Sequence, residues 1–427
     1  MQGAAMLCMG LALAACSSSE NEQVIIEPAP QPVETRSLSQ EDFVNTGNDF
    51  AFNLLRQVAT TNQGQSFVFS PLSVTYALGM MNEGATGGTH QQIMKVLGFE
   101  GVPSDTINAL CHHIMQQAPL LDTSVDMSLA NGIFIRDLYK LQERYQQCLQ
   151  QFYDAEVHTL DFEATASLDF INDWCSQKTK GMIPHVLDKL EGVCYLINAI
   201  YFKADWTYAF DPDVTFYDWF TAADNKVVEV PFMMGEFNVN YTQTADCKVI
   251  RMPFGNEAYG MYVFLPAKDK TPSDILATLS TEKLAALDEI MDSTDVVVKM
   301  PRFGTYSSTD LKGILQAMGM TLPFDERLAQ FGGMIEGLGN GDLYVSRIFQ
   351  DAAIEVQEKG AKATAVTVVG YGVTAILPDE EHDGKIHFTA NHPFVYLITE
   401  KSTGAIYFAG VFAGDKNTLA TAEGTDE

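Results

Sequence analysis

The stretch that decides the fold lies near the C-terminus of the chain: residues 355–377, EVQEKGAKATAVTVVGYGVTAIL. Small and β-branched residues dominate it and no proline comes before Pro378, so its composition is that of a β-strand. It nevertheless runs through a glycine-rich stretch into the charged segment 378–385, as an exposed loop does. The sequence therefore predicts a segment that is an exposed loop and can also form a strand.

The side chains of this segment divide into two faces, because successive residues of a strand point to opposite sides. One face carries only small, uncharged side chains, namely Ala361, Ala363, Ala365 and Thr367. The other carries Lys362, Thr364, Val366 and Val368. A strand with a small inner face and a single outward charge is suited to enter a crowded sheet.

Further blocks along the chain lead to a family. Residues 357–367, in which a Glu and a Gly precede a run of small residues, resemble the hinge of the serpins. Other serpin-like blocks follow in serpin order from about residue 40 to 412: Phe69–Ser73 with Gly84–Thr86, Lys178–Pro184, Asn198–Trp206, Met300–Phe303, Leu315–Phe324 and Asn391–Phe394. The resemblance implies an α+β fold of three β-sheets with surrounding helices, and an exposed reactive-centre loop at about 358–386.

The resemblance also implies a mechanism. A target serine protease attacks the loop and forms an acyl-enzyme, and the loop then inserts into the main sheet and distorts the protease. From Ala361 to Thr374 there are 14 residues, roughly 46 Å as a strand. Ordering them costs about 1–2 kcal/mol per residue, whereas each hydrogen bond returns about 0.5–1.5 kcal/mol. Burial of the inner face must supply the difference, and a charge there would stall insertion.

Site residues follow from the matching positions. The hinge comprises Glu358, Gly360, Ala361, Ala363, Thr364, Ala365 and Thr367. The resemblance places Ser70, Ser73, Asn198 and Gln350 where the sheet parts, Trp206 where the strand enters, and Arg302 opposite Glu358 as a buried pair. The family usually has His where this chain has Gln350, and Gln can still donate and accept hydrogen bonds. Taken singly, Trp206 could be plain core and Ser70 a helix cap.

The reactive bond is predicted by counting the family's loop length from Glu358. The count gives Thr374-Ala375, and a slip of one residue gives Val373-Thr374 or Ala375-Ile376. All three present a small apolar or β-branched residue, which fits the shallow pocket of an elastase-like protease. Residues 363–384 contain no Arg or Lys, so trypsin-like targets are not expected. Chymotrypsin-like and subtilisin-like proteases remain alternative partners.

A second class of function is a serpin-fold surface binding protein whose loop is cut as a plain substrate. Such proteins tend to carry bulky, charged or proline residues in the hinge, whereas this hinge has alanines at its inner positions. Lys362 replaces the family's usual acidic residue, but it lies on the outward face. The hinge therefore favours inhibition.

The N-terminus predicts export and lipidation. Residues 4–15 are small and apolar, too few for a bilayer span of ~20 residues, and typical of a secretory signal. Leu13-Ala14-Ala15-Cys16 resembles a bacterial lipobox, with Cys16 as the lipidated residue, although no Lys or Arg precedes it. An ordinary signal peptide with a chance cysteine is the alternative. We expect a flexible tether at 17–37, a serpin domain at 38–415, a polar tail at 416–427, and a lipid anchor at the outer membrane or cell surface of a bacterium.

Composition narrows the function classes. The 427 residues are 46% hydrophobic, enough for a sizeable core, and 26 basic against 55 acidic residues give a net charge of −29. Such a surface repels nucleic acids. No G-x-S-x-G, P-loop or H-E-x-x-H motif occurs, so we expect a monomer that is not an enzyme and holds no cofactor or metal. The group Glu380, Glu381, His382 and Asp383, with His387, is interpreted as a solvated acidic loop.

Local signals predict several elements. Five cysteines follow Cys16, an odd number without C-x-x-C spacing, and are expected to be buried free thiols: Cys111, Cys148, Cys175, Cys194 and Cys247. Ser39 with Asp42 predicts the start of a helix, and Thr89 with Gln92 predicts a capping box for a helix that ends at Gly98. Strands are predicted at 260–265, 296–300 and in a hairpin of 395–399 with 405–411.

Overall fold

The structure, a computed structural model, describes residues 38–361 and 384–415. Several predicted segments lie outside the described residues: the signal segment with Cys16, the tether, the polar tail, most of the reactive-centre loop and the group 380–383. No helix within these two ranges is long and apolar enough to cross a bilayer.

Nine α-helices occur in the described residues. The first, α1, begins as predicted: the Ser39 side chain accepts a hydrogen bond from the Asp42 N–H, and Phe43, Leu54 and Val58 of the following turns are buried. The helices are α1 (Gln40–Thr61), α2 (Pro71–Gly84), α3 (Gly87–Leu97), α4 (Ser104–Leu121), α5 (Glu143–Tyr153), α6 (Thr165–Lys178), α7 (Pro272–Thr278), α8 (Thr281–Ile290) and α9 (Lys312–Ala317).

The capping box predicted at Thr89 is wrong. Helix α3 starts earlier, with Thr86 as its N-cap, so Thr89 lies inside the helix and is buried. Its hydroxyl accepts a hydrogen bond from the Gln330 N–H, and the Gln92 side chain accepts from the N–H groups of Thr321 and Leu322. Both side chains therefore serve long-range contacts that a local pattern does not reveal. Gly98 does end the helix, in the left-handed conformation, as predicted.

Fifteen strands occur in the described residues and form two connected sheets. They are β1 (Phe67–Phe69), β2 (Asp126–Arg136), β3 (Glu156–Leu160), β4 (Cys194–Asp205), β5 (Phe216–Thr221), β6 (Val227–Gln243), β7 (Cys247–Phe254), β8 (Tyr259–Pro266), β9 (Asp292–Pro301), β10 (Phe303–Asp310), β11 (Phe349–Gln357), β12 (Gly360–Ala361), β13 (Ile386–Thr389), β14 (Phe394–Glu400) and β15 (Ile406–Phe412). The six-stranded sheet has the order β10-β11-β12-β4-β2-β3. The nine-stranded sheet has the order β1-β15-β14-β8-β7-β6-β9-β13, with β5 also paired to β6.

The resemblance implied three sheets, and the described strands form two because β6 is long. Of its 17 residues, 227–232 pair with β5, 232–241 pair with β9 and 240–243 pair with β7. One strand thus connects two groups of strands that a shorter strand would leave as separate sheets. The predicted strands at 260–265 and 296–300 and the β14–β15 hairpin are all confirmed.

Strands β8, β14 and β15 are buried at every position. Helices α1 and α2 contact β15, and α7 contacts β8 and β14. Such double coverage requires strands that are apolar throughout, because no face is left for water. A second, smaller cluster, centred on Phe134, Ile171 and Leu187, lies between α6 and the outer face of the six-stranded sheet.

The five cysteines are free, as predicted; Cys111, Cys175 and Cys247 are also buried as predicted, whereas Cys148 and Cys194 are half-buried. Burial raises the pKa of Cys111, Cys148, Cys175 and Cys194 to about 12, and it also raises the pKa of Cys247. Because the thiolate is the reactive form, these thiols are chemically quiet at neutral pH.

Gly410 of β15 provides a test of the packing. An added Cβ would lie 2.5 Å from the Tyr396 hydroxyl and against the Phe67 carbonyl oxygen, so Gly410→Ala is expected to lower the free energy of unfolding by about 1–3 kcal/mol. Gly47→Ala in α1 is the control: nothing lies within 4 Å of its Cβ position, and the change should stabilise by about 0.4–1 kcal/mol. Urea midpoints measure both, and equal midpoints for the two variants would contradict the packing argument.

Candidate functional site: the hinge and the opening of the six-stranded sheet

The two-residue strand β12 lies between the central strands β11 and β4. Ala361 is opposite Val356 on one side and Ala204 on the other, and Gly360 is opposite Gln357 and Asp205. Among the described residues, β11 and β4 therefore flank β12 and do not form a ladder with each other. The sheet is parted at this end, and the first residues of the predicted loop occupy the gap.

Gly360 is required by the closeness of β4. A Cβ at this position would lie 2.5 Å from the Cα of Asp205 and 2.8 Å from the carbonyl carbon of Ala204. Both are backbone atoms, which cannot move aside as a flexible side chain can. Only glycine lets the chain turn from β11 into the gap along this path.

Arg302 and Glu358 form a buried ion pair, each residue being only 5% exposed. The Thr215 hydroxyl donates to the same carboxylate oxygen at 2.6 Å. The Phe210 N–H donates to the Glu358 carbonyl oxygen at 2.9 Å. Arg302 Nε has no hydrogen-bond partner among the described residues, so the guanidinium depends on this carboxylate.

Trp206 holds the backbone of the hinge. Its indole N–H donates to the Gln357 carbonyl oxygen at 2.9 Å, and its backbone N–H donates to the Lys359 carbonyl oxygen. The ring stacks on Phe254, with centroids 4.4 Å apart. Trp206 is therefore both a core residue and a contact of the segment that enters the sheet.

Gln350 connects β11 to the start of α2. Its side-chain oxygen accepts from the Ser70 N–H at 2.9 Å, and its side-chain nitrogen donates to the Ser70 carbonyl oxygen at 3.0 Å. The Ser70 hydroxyl also accepts from the Ser73 N–H, so Ser70 is a helix cap as well. Neutral groups make both bonds to Gln350, so this connection carries no charge.

A second chain of hydrogen bonds runs from α2 across β4 and β2. The Ser73 hydroxyl donates to Asn198, whose amide donates to Asn131 at 2.7 Å, and the Asn131 amide donates to the Tyr153 carbonyl oxygen at 2.6 Å. The structure thus brings Ser73 and Asn198 together. Asn131 was missed from the sequence, although a lone amide between apolar residues of a strand is a usable signal.

The predicted residues form two groups along the gap. Trp206, Arg302 and Glu358 lie at the hinge end, and Ser70, Ser73, Asn198 and Gln350 lie at the α2 end. Ala204 and Asn198 are six positions apart along β4, which is roughly 20 Å of strand. The hinge residues Ala363, Thr364, Ala365 and Thr367 and the candidate bond residues Val373, Thr374 and Ala375 lie outside the described residues.

Within the described residues, an apolar cluster covers the outer side of the gap at the α2 end. Ala199 belongs to the smaller hydrophobic cluster under α6, and Ile197 and Phe349 pack against it. The pKa of Asp351, on the same face of β11, is raised by burial, and Tyr306 donates to its carboxylate at 2.9 Å. An additional strand in the gap would therefore meet an apolar cover on its outer side at this end.

Comparison with known proteins identifies the class. The profile of the family described as Serpin (serine protease inhibitor) matches residues 45–414. The chain therefore belongs to the serpin family, many of whose members are protease inhibitors. The family and the fold inferred from the sequence blocks are confirmed.

Individual relatives and solved structures resemble the chain over most of its length. The leukocyte elastase inhibitor of Xenopus tropicalis is 31% identical over 390 residues, covering 87% of this chain and 99% of that protein. A serpin-like protein of Methanosarcina mazei is 29% identical, covering 86% of each chain. Among solved structures, the thermophilic serpin tengpin in its native state has a TM-score of 0.77 at 25% identity, covering 90% of this chain and 97% of tengpin. Thyroxine-binding globulin with thyroxine also has a TM-score of 0.77, at 26% identity, covering 87% and 98%.

Glu358→Lys is expected to loosen the sheet. Breaking a buried pair costs about 3–5 kcal/mol because the remaining charge is stranded, and here the new lysine would also repel Arg302. We expect a lower urea midpoint and polymers on size-exclusion chromatography after mild heating. Glu289→Lys makes the same charge change at an exposed position of α8 and should stay monomeric. A monomeric Glu358→Lys protein with normal inhibition would refute the assignment.

Gln350→Leu should weaken the contact between β11 and α2. The substitution removes both hydrogen bonds and leaves the buried Ser70 N–H without its acceptor, which costs about 1–3 kcal/mol. Hydrogen exchange of the Ser70 amide should accelerate, and the urea midpoint should fall. Gln350→Glu tests charge separately, because it keeps the acceptor for the N–H and loses the donor. Unchanged exchange at Ser70 in Gln350→Leu would show that the contact does not hold the sheet.

Proposed function

We propose that this protein is a suicide-type inhibitor of serine proteases, acting by loop cleavage, acyl-enzyme trapping and strand insertion. The observation that carries the proposal is the position of Gly360-Ala361 as a strand between β11 and β4. A chain that already enters the gap can continue into it once the loop is cut and its far end is released.

The inner face of the gap supports this proposal. In the register of β12, residues 363, 365 and 367 of an inserted strand would lie opposite Phe202, Ile200 and Asn198 of β4. On the other side they would lie opposite Ile354, Ala352 and Gln350 of β11. The two alanines would thus meet apolar partners. Thr367, the one polar residue of the set, would meet the amides that now bond to the start of α2.

The outer face supports it independently. Val366 would lie opposite Ala199 on β4 and Asp351 on β11, and Val368 opposite Ile197 and Phe349. Ala199, Ile197 and Phe349 belong to or pack against the apolar cluster under α6. Lys362 would lie at the hinge end, opposite Glu355 and Lys203. The outward residues therefore change from polar to apolar where the apolar cover of the gap begins.

The proposed target is an elastase-like serine protease, cutting at Thr374-Ala375 or one residue to either side. Support comes from the small side chains at these positions and from the relative named leukocyte elastase inhibitor. Chymotrypsin-like proteases, through Tyr371 or Leu377, and subtilisin-like proteases are the alternatives.

We further propose that the inhibitor is a monomer held at the bacterial cell envelope by a lipid on Cys16. The lipobox-like residues 13–16 support the anchor, and the Ser- and Pro-rich residues 17–37 suit a tether. Metabolic labelling with a fatty-acid analogue tests the lipid anchor. The wild-type protein should be labelled and Cys16→Ser should not. An unlabelled wild-type protein would contradict the anchor and favour an ordinary signal peptide.

The second candidate is a non-inhibitory binding protein, favoured by the likeness to thyroxine-binding globulin, which is named for a ligand. One experiment separates the two. The chain without residues 1–16 is incubated with pancreatic elastase, chymotrypsin, trypsin and subtilisin, and analysed by denaturing electrophoresis and mass spectrometry. A covalent complex with a released peptide that starts near Ala375 supports inhibition. Cleavage without a complex supports the binding protein.

Exchanging Lys362 and Ala363 should convert the inhibitor into a substrate. The double variant keeps composition and net charge but puts a lysine on the inner face, opposite Phe202 and Ile354, where burying the charge opposes insertion. We expect a loss of covalent complex of about ten-fold or more, with cleavage retained. Lys362→Ala is the control and should inhibit normally. Full complex formation by the exchanged variant would contradict the register.

A further inference from the structure

A half-open cavity of about 460 Å³ lies away from the hinge, between the end of α2 and the starts of α3, α4 and α5. It shares no lining residue with the hinge or with the α2 end of the gap. Its volume is in the range of small-molecule sites. The charges in its wall indicate what it could hold.

One side of the cavity is formed by the first turn of α5. No side chain caps this helix, because the N-cap residue Gln142 directs its amide to the Gly332 carbonyl oxygen at 2.6 Å. The N–H groups of Arg144 and Tyr145 have no acceptor among the described residues, and the Arg144 guanidinium has no ion-pair partner there. An uncapped helix start with a free guanidinium favours an anion.

Tyr145 adds a second observation. It lines the cavity, it is only 2% exposed, and its hydroxyl has no hydrogen-bond partner among the described residues. Buried hydroxyl groups are normally bonded, so this one is a polar group without an assigned contact. Burial holds its pKa well above the usual value, and the hydroxyl therefore stays neutral.

The other side of the cavity carries carboxylates. Glu83 accepts hydrogen bonds from the Asn108 amide at 2.9 Å and the Cys148 thiol at 3.3 Å, both neutral, and has no cationic partner within the described ranges. Asp105, in the first turn of α4, lines the same cavity. The pKa of Cys148 is raised first by burial and then by Glu83 and Asp105, whereas Arg144 opposes the rise. All three charged groups therefore lie near the Cys148 thiol.

His90 completes this side. Its Nδ1 is 2.8 Å from Asn82 Oδ1, and the Asn82 amide nitrogen donates to Ser104, so Nδ1 is the nitrogen that carries the proton. Burial lowers the His90 pKa, although Glu83 opposes the change, and the ring is therefore neutral near pH 7. Nε2 has no partner among the described residues and offers a lone pair.

The geometry points to a binding site for a small zwitterion, a free α-amino acid, with its carboxylate at Arg144 and the start of α5 and its ammonium group at Glu83 and His90. Neither end suits an ion of one sign alone, because the opposite wall would repel it. The site does not depend on protease inhibition, so it would bind the amino acid in a non-inhibitory protein as well.

The test uses the twenty common L-amino acids as probes. Pools are screened by saturation-transfer NMR against the purified protein, and the strongest binder is measured by isothermal titration calorimetry. Its methyl ester and its N-acetyl derivative, which lack one charge each, should bind about ten-fold or more weakly to the wild-type protein. Binding of both derivatives as tightly as the parent would overturn the zwitterion, and no binding by any amino acid would overturn the site.

Variants locate the binding. Arg144→Gln and Glu83→Gln should each weaken it by about ten-fold or more. Glu289→Gln, the same change as Glu83→Gln at an exposed residue of α8 that does not line the cavity, should leave it unchanged. Unaltered affinity in both Arg144→Gln and Glu83→Gln would place the binding elsewhere and overturn the assignment. The wild-type comparison of ester and acetyl derivatives stands even if a variant fails to fold.

Discussion

The buried pair of Arg302 and Glu358 is the constraint on which the arrangement of both sheets and the hinge depends. Arg302 lies between β9 of one sheet and β10 of the other, and its N–H donates to Pro231 of β6 at 2.8 Å. Glu358 follows β11 directly and is the residue from which the chain turns into the gap. A single ion pair thus joins the two sheets to the segment that enters one of them. Two charges buried together are held in place because separating them strands both.

The opening of the six-stranded sheet is built differently at its other end. There, hydrogen bonds between amides and hydroxyls join α2 to β11 and β4. Each of these bonds contributes only about 0.5–1.5 kcal/mol, and water or another strand can offer the same groups an equivalent bond. None of Ser70, Ser73, Asn198 and Gln350 titrates in the physiological range, so the strength of these contacts should vary little with pH. The ionic contact at the hinge is strong, whereas the neutral contacts at the α2 end can be replaced by others. The gap can therefore lengthen toward α2 while its hinge end stays in place.

Sequence reasoning was strongest where a pattern is local. The cap at Ser39, the end of α3 at Gly98 and the β14–β15 hairpin follow from residues a few positions apart. It failed where the decisive partner is distant in the chain. Thr89 looks like a cap until Gln330 is seen to use its hydroxyl, and the joining of two sheets follows from the 17-residue length of β6. Contacts such as Arg302 with Glu358 came from family resemblance, because no spacing connects positions 56 residues apart.

The length of β6 has a mechanical consequence. At about 3.4 Å per residue the strand is roughly 58 Å long, and its first part accepts the Arg302 N–H while its last part pairs with β7. A pull applied at the hinge is passed through Arg302 to this strand. The component of that pull along β6 would load its hydrogen bonds to β5 and β9 in shear, so that they would have to break together, not one after another from an end. The nine-stranded sheet can therefore act as a stiff anchor against which the other sheet rearranges.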